Sequence, residues 1–258
     1  MTLAIETHKL TRYFNDSCAV NGIELAVERG TFYGFLGPNG AGKSTTIKML
    51  TGLLAPSAGQ MLVLGRNMLD PHEALEAKRH MGVIPEDLAL FDYLTAREYL
   101  TFVGRIHLMP RDTIRSRSDE LLSLLDLQDE EKKFTLEYSH GMKKKLAMAA
   151  ALLPNPDLLF LDEPFEGVDA VTSRVIRDVL AGFVARGSTV FLTSHVLEIV
   201  ERLCTHVGII VKGQLVEQAS LAEIRRGGSL EDSFLQTAGA DPEATRKLNW
   251  LEGAEAAP

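Results

Sequence analysis

The sequence predicts an α/β fold built around a mostly parallel sheet, and three observations carry that expectation. Short apolar strands open the chain, a glycine-rich loop joins one of them to a helix, and strand–helix alternation resumes after Asp157. Between Glu86 and Leu153 the pattern is helical, which reads as a lobe inserted into the sheet-bearing core.

Leu3 to His8, Leu25 to Val27 and Thr31 to Leu36 are apolar or alternating pieces, separated by turn residues such as Asn21-Gly22 and Arg29-Gly30. A helix is expected from about Ser44 to Leu50, stopped by Gly52, with short strands near Met61 to Leu64 and Met81 to Ile84. Within the lobe, Ile114, Leu121, Leu122 and Leu125 form the stripe of an amphipathic helix. A buried strand then covers Leu158 to Leu161. Helix follows at about Val171 to Ala185, strand at Thr189 to Thr193, helix at Val196 to Leu203 and strand at Val207 to Val211. The expected division is one domain over 1–237, with core 1–85 and 154–237, helical lobe about 86–153 and a loosely ordered tail over 238–258. That tail is rich in Ala and Glu from Gly239 to Pro258 and carries Trp250.

Composition excludes several classes. With 258 residues and 45% hydrophobic content the chain can bury a sizeable core. A net charge of −8 argues against a protein that tracks nucleic acid, which needs a basic field. It leaves room for a single nucleotide, because backbone N–H groups hold phosphate without net positive charge. Cys18 and Cys204 lie far apart and read as free thiols of a reducing compartment. Glu6 stands where a signal peptide would need an apolar run, and no stretch reaches the ~18 apolar residues of a membrane span. The expectation is a cytoplasmic protein whose membrane role comes through a partner.

Chemistry concentrates at Gly37-Pro38-Asn39-Gly40-Ala41-Gly42-Lys43-Ser44-Thr45, which matches G-x-x-x-x-G-K-S between a strand and a helix. The glycines let the backbone curl close to phosphate, and the following helix aims its positive end at the same anion. Lys43 is expected on the β- and γ-phosphates, Ser44 on Mg²⁺ and Thr45 near the α-phosphate. Downstream, the apolar run Leu158 to Leu161 ends in Asp162-Glu163. Beside a phosphate loop, such a strand places one acid near the metal and the next near the attacking water. Asp162 is therefore assigned to Mg²⁺ and Glu163 to the general base. His195, at the end of Thr193-Ser194-His195, is expected to contact the γ-phosphate and orient the water.

With these residues in order, the chain resembles the nucleotide-binding domains of ATP-binding cassette (ABC) transporters over roughly residues 1 to 237. Tyr13 stands where the family stacks an aromatic on adenine. Val83-Ile84-Pro85-Glu86 takes the place of the loop that usually carries Gln, and Tyr138-Ser139-His140-Gly141-Met142 looks like a variant of the L-S-G-G-Q signature. Phe165-Glu166-Gly167-Val168-Asp169 is similar to the dimer-contact loop. The resemblance implies a P-loop NTPase core with an N-terminal antiparallel β subdomain and an inserted α-helical subdomain. It also implies ATP and Mg²⁺ as ligands. Ser139 and Gly141 would meet the γ-phosphate held by a second subunit, either another copy or a paralogous ATPase, with Asp169 at that contact.

Glu86 in place of Gln keeps a metal-coordinating oxygen, so activity is expected to survive. Lys143, Lys144 and Lys145 read as a solvated helix face. The implied partner is a polytopic permease gripping grooves near Glu86 to Tyr99, at the inner face of the cell membrane. Leu230-Glu231-Asp232-Ser233-Phe234-Leu235 is similar to a segment of type-2 exporter subunits, which tilts the reading toward export. Cassette ATPases of translation or DNA repair usually carry two cassettes or a long coiled coil, and neither is visible here. A phosphate-loop GTPase would need a guanine-reading N-K-x-D, which is missing as well.

Overall fold

The computed structural model describes residues 2–238, so the expectations for Gly239 to Pro258, including Trp250, lie outside the described residues. Two sheets organise the chain. The first is antiparallel, built from β1 (Leu3–Phe14), β2 (Ser17–Ile23), β3 (Ala26–Glu28), β5 (Ala58–Val63) and β6 (Arg66–Asn67). Its order is β2-β1-β5-β6, with β3 pairing β1. The second uses β4 (Phe32–Leu36), β7 (Met81–Ile84), β8 (Leu158–Asp162), β9 (Thr189–Ser194), β10 (His206–Val211) and β11 (Gln214–Ser220), in the order β11-β10-β4-β9-β8-β7. Every pairing in it is parallel except β10 with β11.

The three central strands are buried at every residue, as their unbroken apolar runs require. Phe191 of β9 stacks on Tyr33 at 5.4 Å and meets Phe35 and Phe160 at 5.3 and 5.6 Å, so aromatic layers knit β4, β9 and β8 together. Helix α1 (Lys43–Leu50) leaves β4 through the glycine-rich loop, and α2 (Pro71–Arg79) precedes β7. The inserted lobe contains α3 (Ala96–Ile106), α4 (Arg111–Leu124) and α5 (His140–Leu152). Then come α6 (Ala170–Ala185), α7 (Leu197–Leu203), α8 (Leu221–Gly227) and α9 (Leu230–Ala238).

Several boundaries have visible local causes. Asp70 caps α2 by accepting from the amides of His72 and Glu73 at 2.9 and 3.0 Å, with Pro71 at the first helical position. Thr95 and Glu98 close a reciprocal capping box on α3. Inside the lobe, Arg97 bridges Asp119 on α4 at 2.7 Å and also Glu131, tying the helices to one another. The lobe has no core of its own, however. Leu100, Leu122, Leu125 and Leu146 belong to one apolar cluster with Leu159 and Leu161 of the parallel sheet.

The structure corrects the N-terminal reading. The strand expected at Leu3 to His8 runs to Phe14, and Asn21-Gly22 lies within β2 rather than at a turn. The hairpin turn is Asn15-Asp16, with Asn15 at φ 51°, a left-handed conformation that Asn tolerates better than most residues. Helix α2 and edge strand β11 were absent from the expectation. The former buries only Ala74 and Ala77, and the latter is a half-exposed polar strand.

Candidate functional site

A cavity of about 390 Å³ opens at the carboxyl ends of β4 and β8. One wall is Asn39, Gly40 and residues 42–45; the other is Glu86, Asp162 and Glu163, with Ala19 at the rim. The site therefore lies where a parallel sheet delivers its strand ends. Gly42 precedes α1 at φ 110°, and a Cβ there would sit 2.5 Å from the Ala19 carbonyl, so only glycine lets the loop turn into the helix. The first turn of α1 then presents its unpaired N–H groups to the cavity, a ready anion cradle.

The loop is braced from behind. The Gly213 amide, in the turn between β10 and β11, donates to the Ala41 carbonyl at 2.9 Å, and Ala41 donates to Pro38 at 3.1 Å. Gly37, Pro38 and Ala41 thus shape the loop without lining the cavity. The ammonium of buried Lys43 donates to the carbonyls of Gly37 and Pro38 at 2.7 and 3.3 Å, which holds it inside the curl.

Across from the loop, one hydroxyl arranges both acids. Thr193 donates to Asp162 Oδ1 and accepts from the Glu163 amide at 3.1 Å, as the pairing of Asp162 with Thr193 between β8 and β9 dictates. Sequence reading passed over Thr193, whose role depends on inter-strand register; its place beside Ser194 and His195 was the available signal. Glu163 itself sits at φ 48°, an uncommon region for a side-chain-bearing residue and typical of over-determined sites. Its carboxylate meets His195 Nδ1 at 3.0 Å, with Glu163 nearly buried and His195 half-exposed. That pair can take a proton from a water and keep it oriented.

Three hard oxygen donors face the cavity: Asp162, Glu86 and the Ser44 hydroxyl, which donates to Glu86 Oε2 at 3.2 Å. Mg²⁺ at phosphate sites takes one or two protein oxygens and completes its shell with phosphate and water, so the donor set fits it. No cluster of three His, Cys, Asp or Glu side chains suited to a metal occurs among the described residues.

Tyr13, the last residue but one of β1, lies opposite Cys18 and is 49% exposed; Ala19 on the cavity rim is the next residue along β2. Its hydroxyl pKa is raised, chiefly by hydrogen bonding to Cys18. An exposed aromatic face beside the phosphate cavity is what base stacking needs.

Ser139 and Gly141 stand elsewhere. Ser139 is exposed and its hydroxyl accepts from the Met142 amide at 3.2 Å, capping α5. A Cβ on Gly141 would lie 3.5 Å from the Gly167 carbonyl, so this loop rests against the segment after Glu163 rather than against the phosphate cavity. Tyr138 anchors it from below, donating to the Glu130 carbonyl at 2.8 Å; burial pushes its hydroxyl pKa up to about 12. Asp169, assigned to the nucleotide contact, is committed to capping α6. It accepts from the amides of Val171 and Thr172 at 3.0 and 2.9 Å and from the Thr172 hydroxyl at 2.7 Å, which lowers its pKa. Its carboxylate lies outside the cavity of its own subunit, because a carboxylate preceding a helix finds strong donors in the first turn. A correction concerns Lys144, which is buried rather than solvated and donates to the Glu163 carbonyl at 3.1 Å.

Comparison with known proteins agrees with this geometry. The ABC transporter family model matches residues 20–166. The chain is 37% identical over 227 residues to the bacitracin transport ATP-binding protein BcrA of Bacillus licheniformis, covering 88% of this chain and 72% of that one. It is 34% identical over 250 residues to the daunorubicin/doxorubicin resistance ATP-binding protein DrrA of Streptomyces peucetius, covering 96% and 75%. A solved ATP-binding subunit of an ABC transporter superposes with TM-score 0.86 at 29% identity, over 92% of this chain and 99% of that one. A glycine-rich cradle, two acids held by one threonine and a family match spanning both make this chain an ATP-hydrolysing member of the ATP-binding subunits of ABC transporters.

Proposed function

We propose that the chain works as a pair around two ATP molecules and drives a separate polytopic permease in the direction of export. Each nucleotide is cradled by residues 37–45 of one subunit and covered by Ser139 and Gly141 of the other, either a second copy or a paralogous subunit. The observation that carries this is the division of the site: Ser139 is exposed and sits apart from the cavity that holds Lys43, Asp162 and Glu163.

Tyr13 stacks on adenine, Lys43 and the loop amides hold the β- and γ-phosphates, and Ser44, Asp162 and Glu86 hold Mg²⁺. When bound, Mg²⁺ neutralises charge developing on the phosphate oxygens. Glu163 takes a proton from water as the water oxygen bonds to the γ-phosphorus and the bond to the β–γ bridging oxygen breaks, leaving ADP and phosphate. His195 keeps Glu163 and that water aligned. Closure with ATP and opening after hydrolysis shift an equilibrium through contacts made only in the closed pair.

The permease contact fits a groove of about 360 Å³ lined by Val83, Pro85, Leu88, Tyr99 and Val103. Phe91 and Tyr93 stand exposed in the same segment, 54% and 77% accessible. No helix among the described residues is long and apolar enough to cross a membrane, so the spanning part belongs to the partner in this reading. Export is supported by the Leu230 to Leu235 segment and by relatives named for bacitracin transport and drug resistance.

The test is Glu163→Gln. It is expected to bind ATP, accumulate as a closed dimer and lose hydrolysis by about 10³-fold or more. Hydrolysis at the native rate removes Glu163 from the base role, and a nucleotide-loaded Glu163→Gln that stays monomeric alone and with its permease removes the paired mechanism.

A further inference from the structure

A buried lysine needs a compensating partner, since desolvating an ammonium is costly. Lys144 is 5% exposed, while its neighbours Lys143 and Lys145 are half-exposed on the same turn of α5. Its ammonium makes a directed bond to the backbone carbonyl of Glu163 at 3.1 Å, nineteen residues away. Burial lowers its pKa, and attraction to the carboxylates of Glu166, Glu163 and Glu86 opposes that shift. The charge is thus buried with one directed bond, to a backbone carbonyl, while the three carboxylates act on it at longer range.

What the bond restrains is unusual. Glu163 holds a left-handed backbone at φ 48°, which survives only where neighbours fix it. Thr193 fixes its amide at 3.1 Å, and His195 meets its carboxylate at 3.0 Å. Lys144 makes the shorter of two bonds to the remaining polar group, the carbonyl, which also accepts from the Glu166 amide at 3.4 Å. Without the Lys144 bond Glu163 is freer to relax from its left-handed φ, and because rotation about N–Cα carries the carbonyl carbon and Cβ together, the carboxylate swings with it. Small misplacements of a reacting group are expensive, because catalysis depends on a near-attack geometry.

The geometry points to Lys144 as a positioning residue for ATP hydrolysis, one that locks the left-handed turn of Glu163 through its carbonyl and thereby aims the base. This rests on the reading of Glu163 as the base. It assigns Lys144 no contact with nucleotide.

The experiment compares Lys144→Met, which keeps the length and loses the donor, with Lys144→Arg, which keeps a charged donor, in the purified full chain. Lys144→Met is expected to lower kcat by about 100-fold with KM for ATP and melting temperature near native values. Lys144→Arg should recover kcat to within about tenfold of the native rate, because its guanidinium can reach the same carbonyl. In the Glu163→Gln background, Lys144→Met should still form the ATP-dependent dimer. Native turnover in Lys144→Met overturns the proposal. So does a raised KM with kcat intact, which would place the ammonium on nucleotide, or an Arg variant no better than Met. Should Lys144→Met not fold, Lys144→Gln carries the same test: its shorter amide falls short of the carbonyl, and native turnover there overturns the assignment. If Glu163→Gln itself hydrolyses at the native rate, the base reading has failed; if it is dead while Lys144→Met is fully active, only the role of Lys144 has.

Discussion

The phosphate loop and the Ser139 loop make an instructive pair. The phosphate loop buries Gly37 and residues 41–43 and is pinned by Gly213, by the Lys43 ammonium and by the Thr46 hydroxyl, which donates to the Gly42 carbonyl at 2.8 Å. The Ser139 loop has one hydroxyl cap, and Ser139 and His140 are open to solvent. The first is preorganised by its own chain, so its geometry is complete before any ligand arrives. The second is held by its helix cap alone and leaves its serine open to solvent. In the proposed pair, half of the active site is built and half is offered.

Mutations should treat the two halves differently. The largest effect is expected for Gly37→Ala. A Cβ there would lie 2.3 Å from the Ile210 carbonyl and 2.8 Å from the Ile210 side chain, and β10 cannot retreat from inside the sheet. Thermal melting should report destabilisation of about 1–3 kcal/mol or more, with ATP binding lost alongside. A Gly37→Ala variant as stable as the native chain would mean that the loop is freer than its bracing implies.

Ser139→Asp sharpens the comparison. Aspartate caps a helix as well as serine does, so melting should not move, whereas Ser139→Ala should cost about 0.5–2 kcal/mol. The new carboxylate would face the partner's phosphates, and the ATP-dependent dimer of the Glu163→Gln chain should vanish on size exclusion. A dimer that persists would take Ser139 out of the shared site.

The smallest effect belongs to Tyr13→Ala. Tyr13 is half-exposed and touches little of the core, so stability should hold while ATP affinity, measured by calorimetry, weakens about tenfold. Unchanged affinity would pass the stacking role to Phe14, over whose ring Arg12 lies at 4.7 Å.

How much of this was legible in the sequence follows from where the information sits. Strands such as Leu158–Asp162 and Thr189–Ser194 declare themselves because burial on both faces demands an apolar centre, Leu158 to Leu161 in one and Val190 to Leu192 in the other. The phosphate loop is equally legible, since its glycines answer local geometry. Edge strand Gln214–Ser220 and helix Pro71–Arg79 hide because each buries too little to leave a pattern. Thr193 and Lys144 hide for another reason: each acts through atoms on a different element, Thr193 across strands on Asp162 and Lys144 on the Glu163 carbonyl. Asp169 adds a local role that the motif reading did not include, the cap of its own helix.

The shared leucine layer between the lobe and the sheet has a mechanical meaning. Arg97 makes the lobe stiff, while the surface joining it to β8 is mostly greasy, with the Lys144 bond to the Glu163 carbonyl as a directional tie at its edge. Such a joint favours short sliding over wide swinging, as packed helices do in shear motions. In the proposed assembly, force from a permease seated near Val83 and Tyr99 would slip along that layer and reach the strand that ends in Asp162, with little wasted in bending.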